Sequence, residues 1–332
     1  MSAQHSARAT GGGRDATDEV AHRLGALARR DVPIGPRTTY RVGGQASLYV
    51  DAADGDDLVA AARAIAGTGV EVLVIGKGSN LLVADTGFPG LVIVLAGEQF
   101  SRVEIDQAGV VLAGGAASLP VLARVTAAAG LTGLEWAVGV PGSVGGALRM
   151  NAGGHGSDTS KVLIDCGLVD LAAGEKAEEV TRTAGQLEFA YRHSAVTASD
   201  VVVWARLRLA PGDAEASAEM IEEIVRWRRE HQPGGHNAGS VFTNPPGDSA
   251  GRLIDAAGLR GYRRGSAQVS EKHANFIQAD DGGSAGDVYA LIQEVQRVVE
   301  DRTGIHLAVE LKLVGFGPPE GQPSSIDRGL TS

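Results

Sequence analysis

Residues 70–95 read VEVLVIGKGSNLLVADTGFPGLVIVL, a glycine-rich loop between two apolar runs. Phosphate loops have this form, yet neither of the two familiar kinds fits. A Walker A loop places lysine and then Ser or Thr after its second glycine; here Gly78 leads into Ser79 and Asn80. A dinucleotide fingerprint needs a third glycine and a helix behind it, whereas Gly87, Pro89 and Gly90 interrupt the chain where that helix would run. The stretch therefore predicts strand, loop, strand. Without a helix dipole, successive backbone N–H groups can still form an anion-binding nest, which the Ser79 and Asn80 side chains extend. A plain β-turn is the competing reading, and the local sequence leaves both open.

A second cluster lies downstream. GVPGSVGGALRMNAGGHG (139–156) holds Gly139, Gly142, Gly145, Gly146, Gly153, Gly154 and Gly156. Two such loops predict a grip on the two ends of a long ligand such as a dinucleotide; a tight packing seam between subdomains is the alternative. Glycine supplies 47 of the 332 residues, about twice the usual share of roughly 7%, gathered in clusters rather than in a low-complexity tract.

Composition narrows the ligand. A formal charge of −10 argues against a nucleic-acid or anionic-membrane surface, which needs a broad basic patch. A small molecule is the expected partner, with an anion bound where arginines gather. Cys166 is the single cysteine, so no internal disulfide forms and a reducing compartment fits. No apolar run approaches the roughly 20 residues of a membrane span, and the start MSAQHSARATGGGRD lacks the apolar centre of a secretion signal. A cytoplasmic protein without membrane insertion or a metal site is expected.

Residues 1–18 and 317–332 are polar and read as disordered tails. Between them three stretches are expected, 31–98, 99–211 and 212–316. The first opens with the strand-like TTYRVGGQASLYV (38–50) and has a helix near 56–67. The second has a helix near 119–129 and strands near 162–170 and 200–209. The third begins with a helix in AEASAEMIEEIVRWRREHQ (214–232). Asp248 is read as the cap of a helix near 249–257. Ser284 and Asp287 are read as a capping box for 285–303, which Gly304 ends. A final strand is expected with Ile305, Leu307, Val309, Leu311 and Leu313 on one face and His306, Glu310 and Lys312 on the other.

In this order the pieces resemble one family. TTYRVGGQA (38–46), GKGSNLLV (76–83) and GVPGSVGGALRMNAG (139–153) are similar to the wider flavin superfamily that includes vanillyl-alcohol-oxidase-like enzymes. With YRHS (191–194), NAGSVFTNP (237–245), AGRLIDAAGLRGYRRGSAQVSEKHANFI (250–277) and VELKLVG (309–315), the chain resembles the UDP-N-acetylenolpyruvoylglucosamine reductases over about 32–316. These are flavoenzymes of peptidoglycan synthesis. The third-stretch run looks like the form of the family without an extra substrate loop.

The resemblance implies an α+β fold, with two FAD-binding subdomains of the vanillyl-alcohol-oxidase-like (PCMH-type) kind and a C-terminal α+β substrate-binding domain. It implies non-covalent FAD, held at the pyrophosphate by Gly76, Lys77, Gly78, Ser79, Asn80 and Leu81. Pro141, Gly142, Ser143, Gly146 and Asn151 belong to the second loop, and Arg228 contacts flavin or a carboxylate. It also implies that NADPH reduces the flavin and leaves, and that UDP-N-acetylglucosamine enolpyruvate takes its place. Hydride then reaches the vinyl CH2 carbon and a proton its neighbour, giving UDP-N-acetylmuramate.

Hydride addition pushes negative charge onto the enolpyruvyl carboxylate, which calls for fixed cations or donors. Arg192 in YRHS matches the family's catalytic arginine, and a guanidinium fork suits a carboxylate. Ser240 matches the proton donor; a serine hydroxyl yields its proton only to a strongly basic centre such as an enolate carbon. Glu310 matches a glutamate that orients and polarises the enolpyruvyl group. Taken alone, the three read as a surface ion-pair arginine, a turn serine beside Gly239, and one member of a Glu310–Lys312 pair worth about 1 kcal/mol or less.

Tyr191, His231 and Asn244 are implied as substrate contacts, with Tyr262, Arg263, Arg264 and Lys272 toward the uridine diphosphate and His273 structural. Two positions depart from the family: His231 where lysine is usual, and His155 where tyrosine is usual. Imidazole titrates near neutrality, so His231 predicts more pH-dependent binding. The rival readings are a flavin oxidase of the same superfamily acting on an alcohol or sugar, and a flavin- or nucleotide-binding module without activity.

Overall fold

The apolar, β-branched runs of the opening stretch form the strands they predict. The computed structural model describes residues 8–316, with side chains from Arg14 onward. Numbered in chain order, β1 is Arg29–Pro33, β2 Gln45–Ala52, β3 Val72–Ile75, β4 Leu81–Val83 and β5 Phe88–Leu95. Four of them make a sheet in the order β1-β2-β5-β3, with β2, β5 and β3 parallel and β1 antiparallel. β3 is therefore an edge strand. After the loop at 76–80, β4 leaves this sheet and pairs in parallel with Lys312–Val314, close to the end of the described chain.

Helices cover the sheet where their apolar stripes demand it. α1 (Arg8–Leu24) buries Val20 and Leu24 against Leu58, Ala61 and Ala62 of α2 (Gly55–Ile65). The tail expected over 1–18 is thus corrected in its described part: residues 8–18 are the start of α1, because a helix anchored by buried residues at one end propagates through polar sequence. Residues 1–7 and 317–332 lie outside the described residues.

A second, all-antiparallel sheet takes the strands Glu179–Thr183, Leu163–Asp170, Asp200–Arg208, Val110–Gly114 and Val103–Ile105 in that order. α3 (Leu119–Ala128), α4 (Val144–Met150) and α5 (Ala214–His231) share its core. The boundary expected at 210–213 therefore does not divide the core, since Ile221 and Ile224 of α5 pack with Leu122 and Leu148. A buried pair reinforces this: the Ser217 hydroxyl donates to Glu135 Oε1 at 2.7 Å, and Gly133 N–H donates to the other carboxylate oxygen at 2.9 Å. Cys166 is buried there too, and burial pushes its thiol up to about 12, an inert position.

The third body joins α6 (Ala250–Ala256), α7 (Ala285–Thr303) and a small sheet over 263–279. Val288, Leu291, Ile292, Val295 and Val299 are buried on α7, and Gly304 ends it with φ 70°. Ser284 caps α7 by accepting from Asp287 N–H at 3.3 Å, but the capping box is only half built. The Asp287 carboxylate instead accepts from Ser266. For α6 the cap is Ser249 and not Asp248, whose carboxylate accepts from Ser249 N–H and pairs with Arg252. The long final strand is also corrected. Leu307 and Leu311 are buried, but only Lys312–Val314 joins a ladder, because 305–311 meets a single bridge, Phe242–Val309.

One carboxylate ties the first body to the third. Asp85, just past β4, accepts from the Ser284 hydroxyl at 2.7 Å and from the N–H groups of Ala285 and Gly286 at 3.0 and 2.9 Å. Burial raises its pKa, but these hydrogen bonds outweigh burial and hold it below the ordinary 3.8. Its stabilising contribution is thus present above that value and lost as pH falls through the lowered one. Asp85→Ala is expected to cost about 1–2 kcal/mol at pH 7 by chemical unfolding, with the gap to wild type closing in acid. A gap that stays constant down to strong acid would contradict the assignment.

Candidate active site

Both glycine loops open on one cleft of about 1150 Å3, above the roughly 300–1,000 Å3 of ordinary small-molecule pockets. Gly76, Lys77, Gly78, Ser79, Asn80 and Leu81 line it, and packed beside them are Pro141, Gly142, Ser143 and Gly146. Arg192, Ser240, Glu310 and Arg228 are on the same wall system. Three sequence motifs far apart in the chain thus meet at one cavity.

The 76–80 loop is shaped for an anion. Among the described residues, the backbone N–H groups of Lys77, Gly78, Ser79 and Asn80 donate to no protein acceptor. Four consecutive amides without a protein acceptor beside a cleft are what an anion nest would offer. The loop is held from behind: Thr39 N–H donates to the Gly78 carbonyl at 3.1 Å, and a Cβ on Gly78 (φ +60°) would lie 2.2 Å from the Arg37 carbonyl. A Cβ on Gly76 would lie 2.4 Å from Ser143 Oγ. These two glycines serve a packing seam. Gly142 and Gly146 differ, because a Cβ there meets nothing nearer than 3.6 and 3.5 Å and would enter the cleft. The packing-seam reading thus fits Gly76 and Gly78, while Gly142 and Gly146 leave open space on the cleft wall.

The catalytic candidates converge. Arg192 Nε and Glu310 Oε1 are 2.8 Å apart. The N–H does not point at that oxygen, so Nε is buried without a hydrogen-bond acceptor and the contact is an ion pair by distance only. Arg192 has φ +55° inside a turn closed by reciprocal Ala190–His193 bonds, a conformation that favours glycine. Burial raises the Glu310 pKa above 4.5, and the Arg192 guanidinium beside it partly reverses this. Glu310 N–H donates to the Val241 carbonyl at 2.8 Å, which sets the half-buried Ser240 next to it. Arg228 follows Ser217, Ile221 and Ile224 on the buried stripe of α5, so of the arginines at this helix end it is the one turned into the cleft. Its Nε donates to Gln232 at 2.8 Å, and burial works against its charge.

Other expected contacts stand off the cleft wall. Asn151, at φ +40°, is buried and structural: its amide donates to the Ala190 carbonyl at 3.1 Å and so holds the Arg192 turn. Tyr191 is exposed, with Arg192 over its ring at 5.4 Å. His231 stacks on Trp227 at 4.8 Å, and His155 meets the same indole edge-on. Asn244 accepts from Ala250 N–H, Lys272 donates to the Arg229 carbonyl, Arg263 pairs with Asp280, and Tyr262 is exposed. Arg37 and Arg149, which no motif singled out, do line the cleft.

Residues 46–178 match the FAD binding domain family, and residues 231–314 match the family described as UDP-N-acetylenolpyruvoylglucosamine reductase, C-terminal domain. The UDP-N-acetylenolpyruvoylglucosamine reductase of Acidiphilium cryptum is 43% identical over 304 residues, 91% of this chain and 95% of the relative. Reductase 2 of the same name from Symbiobacterium thermophilum is 42% identical over 292 residues, 87% and 93% of the two chains. The crystal structure of the Thermus caldophilus reductase superposes with a TM-score of 0.74 at 35% identity, over 86% of this chain and 99% of that one. Fold and site define an α+β protein with an FAD binding domain and a further C-terminal domain. The chain belongs to the UDP-N-acetylenolpyruvoylglucosamine reductase family.

Two variants probe this site. Gly146 lies in α4 with room for a methyl group, so Gly146→Ala is expected to keep or raise the Tm, by up to about 1 kcal/mol in stability, while weakening FAD retention. Undiminished FAD affinity in Gly146→Ala would rule out its place on the cofactor wall. For Glu310, a folded pKa above 4.5 means that its contribution to stability is present below that pH and lost as pH rises through the raised value. Glu310→Gln should therefore melt above wild type at pH 8 and level with it at pH 4.

Proposed function

We propose that the chain reduces the enolpyruvyl ether of UDP-N-acetylglucosamine enolpyruvate to the lactyl ether of UDP-N-acetylmuramate, in the cytoplasmic stage of peptidoglycan synthesis, with NADPH as reductant. The observation that carries this reading is the meeting of Arg192 and Glu310 at 2.8 Å on the wall that bears Ser240, facing two glycine loops. In this reading 31–98 and 99–231, the latter including α5, are the two FAD-binding subdomains and 232–316 the substrate-binding domain. The amide nest, the open faces of Gly142 and Gly146 and the size of the cleft all fit FAD. When bound, FAD supplies a two-electron carrier that exchanges hydride with a nicotinamide and with an activated alkene.

The chain's own residues then handle charge and proton. The Arg192 fork receives the substrate carboxylate and stabilises the enolate as hydride adds to the CH2 carbon. Its cramped turn and unused Nε–H hold a donor ready before substrate arrives. Once Arg192 turns to the substrate, burial favours the neutral acid of Glu310, which donates a hydrogen bond to the enolate oxygen. Ser240 Oγ holds the proton that closes the reaction on the carbon bearing the carboxylate. Tyr191 and His231, next in sequence to the cleft residues Arg192 and Gln232, are proposed to meet the sugar nucleotide at the mouth.

The test is an anaerobic titration. NADPH should bleach the yellow protein, and the enolpyruvyl substrate should restore its colour. In Ser240→Ala bleaching should persist while recolouring slows by about 100-fold or more. Recolouring by oxygen alone, with no response to the enolpyruvyl substrate, would favour a flavin oxidase instead.

A further inference from the structure

Arg37 lines the cleft beside the 76–80 loop, and its charge is only loosely engaged by the protein. Its guanidinium lies over the Tyr49 ring, 4.6 Å from the centroid. Its ion-pair partner Asp51 is shared: Oδ1 accepts from the Tyr49 hydroxyl at 2.7 Å and Oδ2 pairs with Arg29. Arg37 stands 4.0 Å from Asp51, at the limit of an ion pair, and its guanidinium donates no hydrogen bond among the described residues. Its backbone is clamped to the loop, since its carbonyl lies where a Gly78 Cβ would fall and Thr39 N–H donates to the Gly78 carbonyl. A stacked, half-exposed cation with all its N–H donors unengaged thus borders four unused amides on the same cleft.

We propose that Arg37 is a phosphate-binding residue of this site, supplying the formal charge that the amide nest lacks and gripping the pyrophosphate bridge of FAD. Stacking on Tyr49 holds the guanidinium plane in place, so little side-chain freedom is lost when it binds. Lys77, on the loop itself, forms no ion pair among the described residues, so the cradle has a second cation of a more mobile kind. This inference rests on the reading of the cleft as an FAD site.

The experiment compares flavins that do and do not carry phosphate, using flavin fluorescence quenching on protein stripped of its cofactor. Wild type should bind FAD well above riboflavin. Arg37→Gln should lose about tenfold or more in FAD affinity, with a shallower dependence on ionic strength, and leave riboflavin affinity unchanged. Arg37→Lys, which keeps the charge but not the fork, should recover part of the loss. Equal FAD affinity in wild type and Arg37→Gln overturns the proposal and spares the FAD reading. An equal fall for FAD and riboflavin marks a structural effect of the substitution and also overturns it. A wild-type protein that binds no FAD overturns the reading beneath it.

Discussion

Asn80 is the residue on which the geometry of the site turns. It closes the anion loop, and its side-chain amide donates to the Glu310 carbonyl at 3.2 Å while its own carbonyl accepts from Lys312 N–H at 3.1 Å. The loop whose four amides lack a protein acceptor is therefore fixed to the segment that carries Glu310. Asn151 does the equivalent work for the other loop, through its bond to Ala190 in the turn that carries Arg192. Two asparagines thus tie the glycine loops to the segments that carry the candidate residues Glu310 and Arg192. Small polar side chains that reach backbone groups suit this task, because they bridge loops without a charge that would itself need compensation.

Around this frame the cores overlap rather than stay within sequence boundaries. Tyr40 and Leu82 from the first stretch lie in the same apolar cluster as α6 and α7, and α5 belongs to the cluster under the five-stranded sheet. α5 thus carries Arg228 on a helix anchored by Ile221, Ile224 and the Ser217–Glu135 bond. Groups that must hold position against a mobile ligand sit on elements whose other face is buried. The departures His155 and His231 share Trp227 as neighbour, so they form one aromatic unit at the end of α5 rather than two separate changes.

Local strain is placed where charge is needed. Arg192 occupies a left-handed turn position that glycine would take more easily, and its buried Nε lacks an acceptor. Beside it Glu310 is a carboxylate balanced between burial and one guanidinium. Neither group is optimal for stability, and both line the cleft.

Much of this was readable from residue order. The broken glycines after Gly78 excluded a helix, the α7 stripe and Gly304 marked a helix and its end, and the separated motifs pointed to Arg192, Ser240 and Glu310 because periodicity, turn chemistry and motif identity are local properties. Other features needed distant partners. Whether a glycine yields space to the protein, as Gly76 and Gly78 do, or to an open cleft, as Gly142 and Gly146 do, depends on what chain crosses behind it. Arg37 approaches no nearer than 4.0 Å to Asp51, a carboxylate already shared by Tyr49 and Arg29. The Asn80–Glu310 bond joins residues 230 positions apart. Folding alone chose those neighbours, since no short-range pattern encodes which segments will lie back to back.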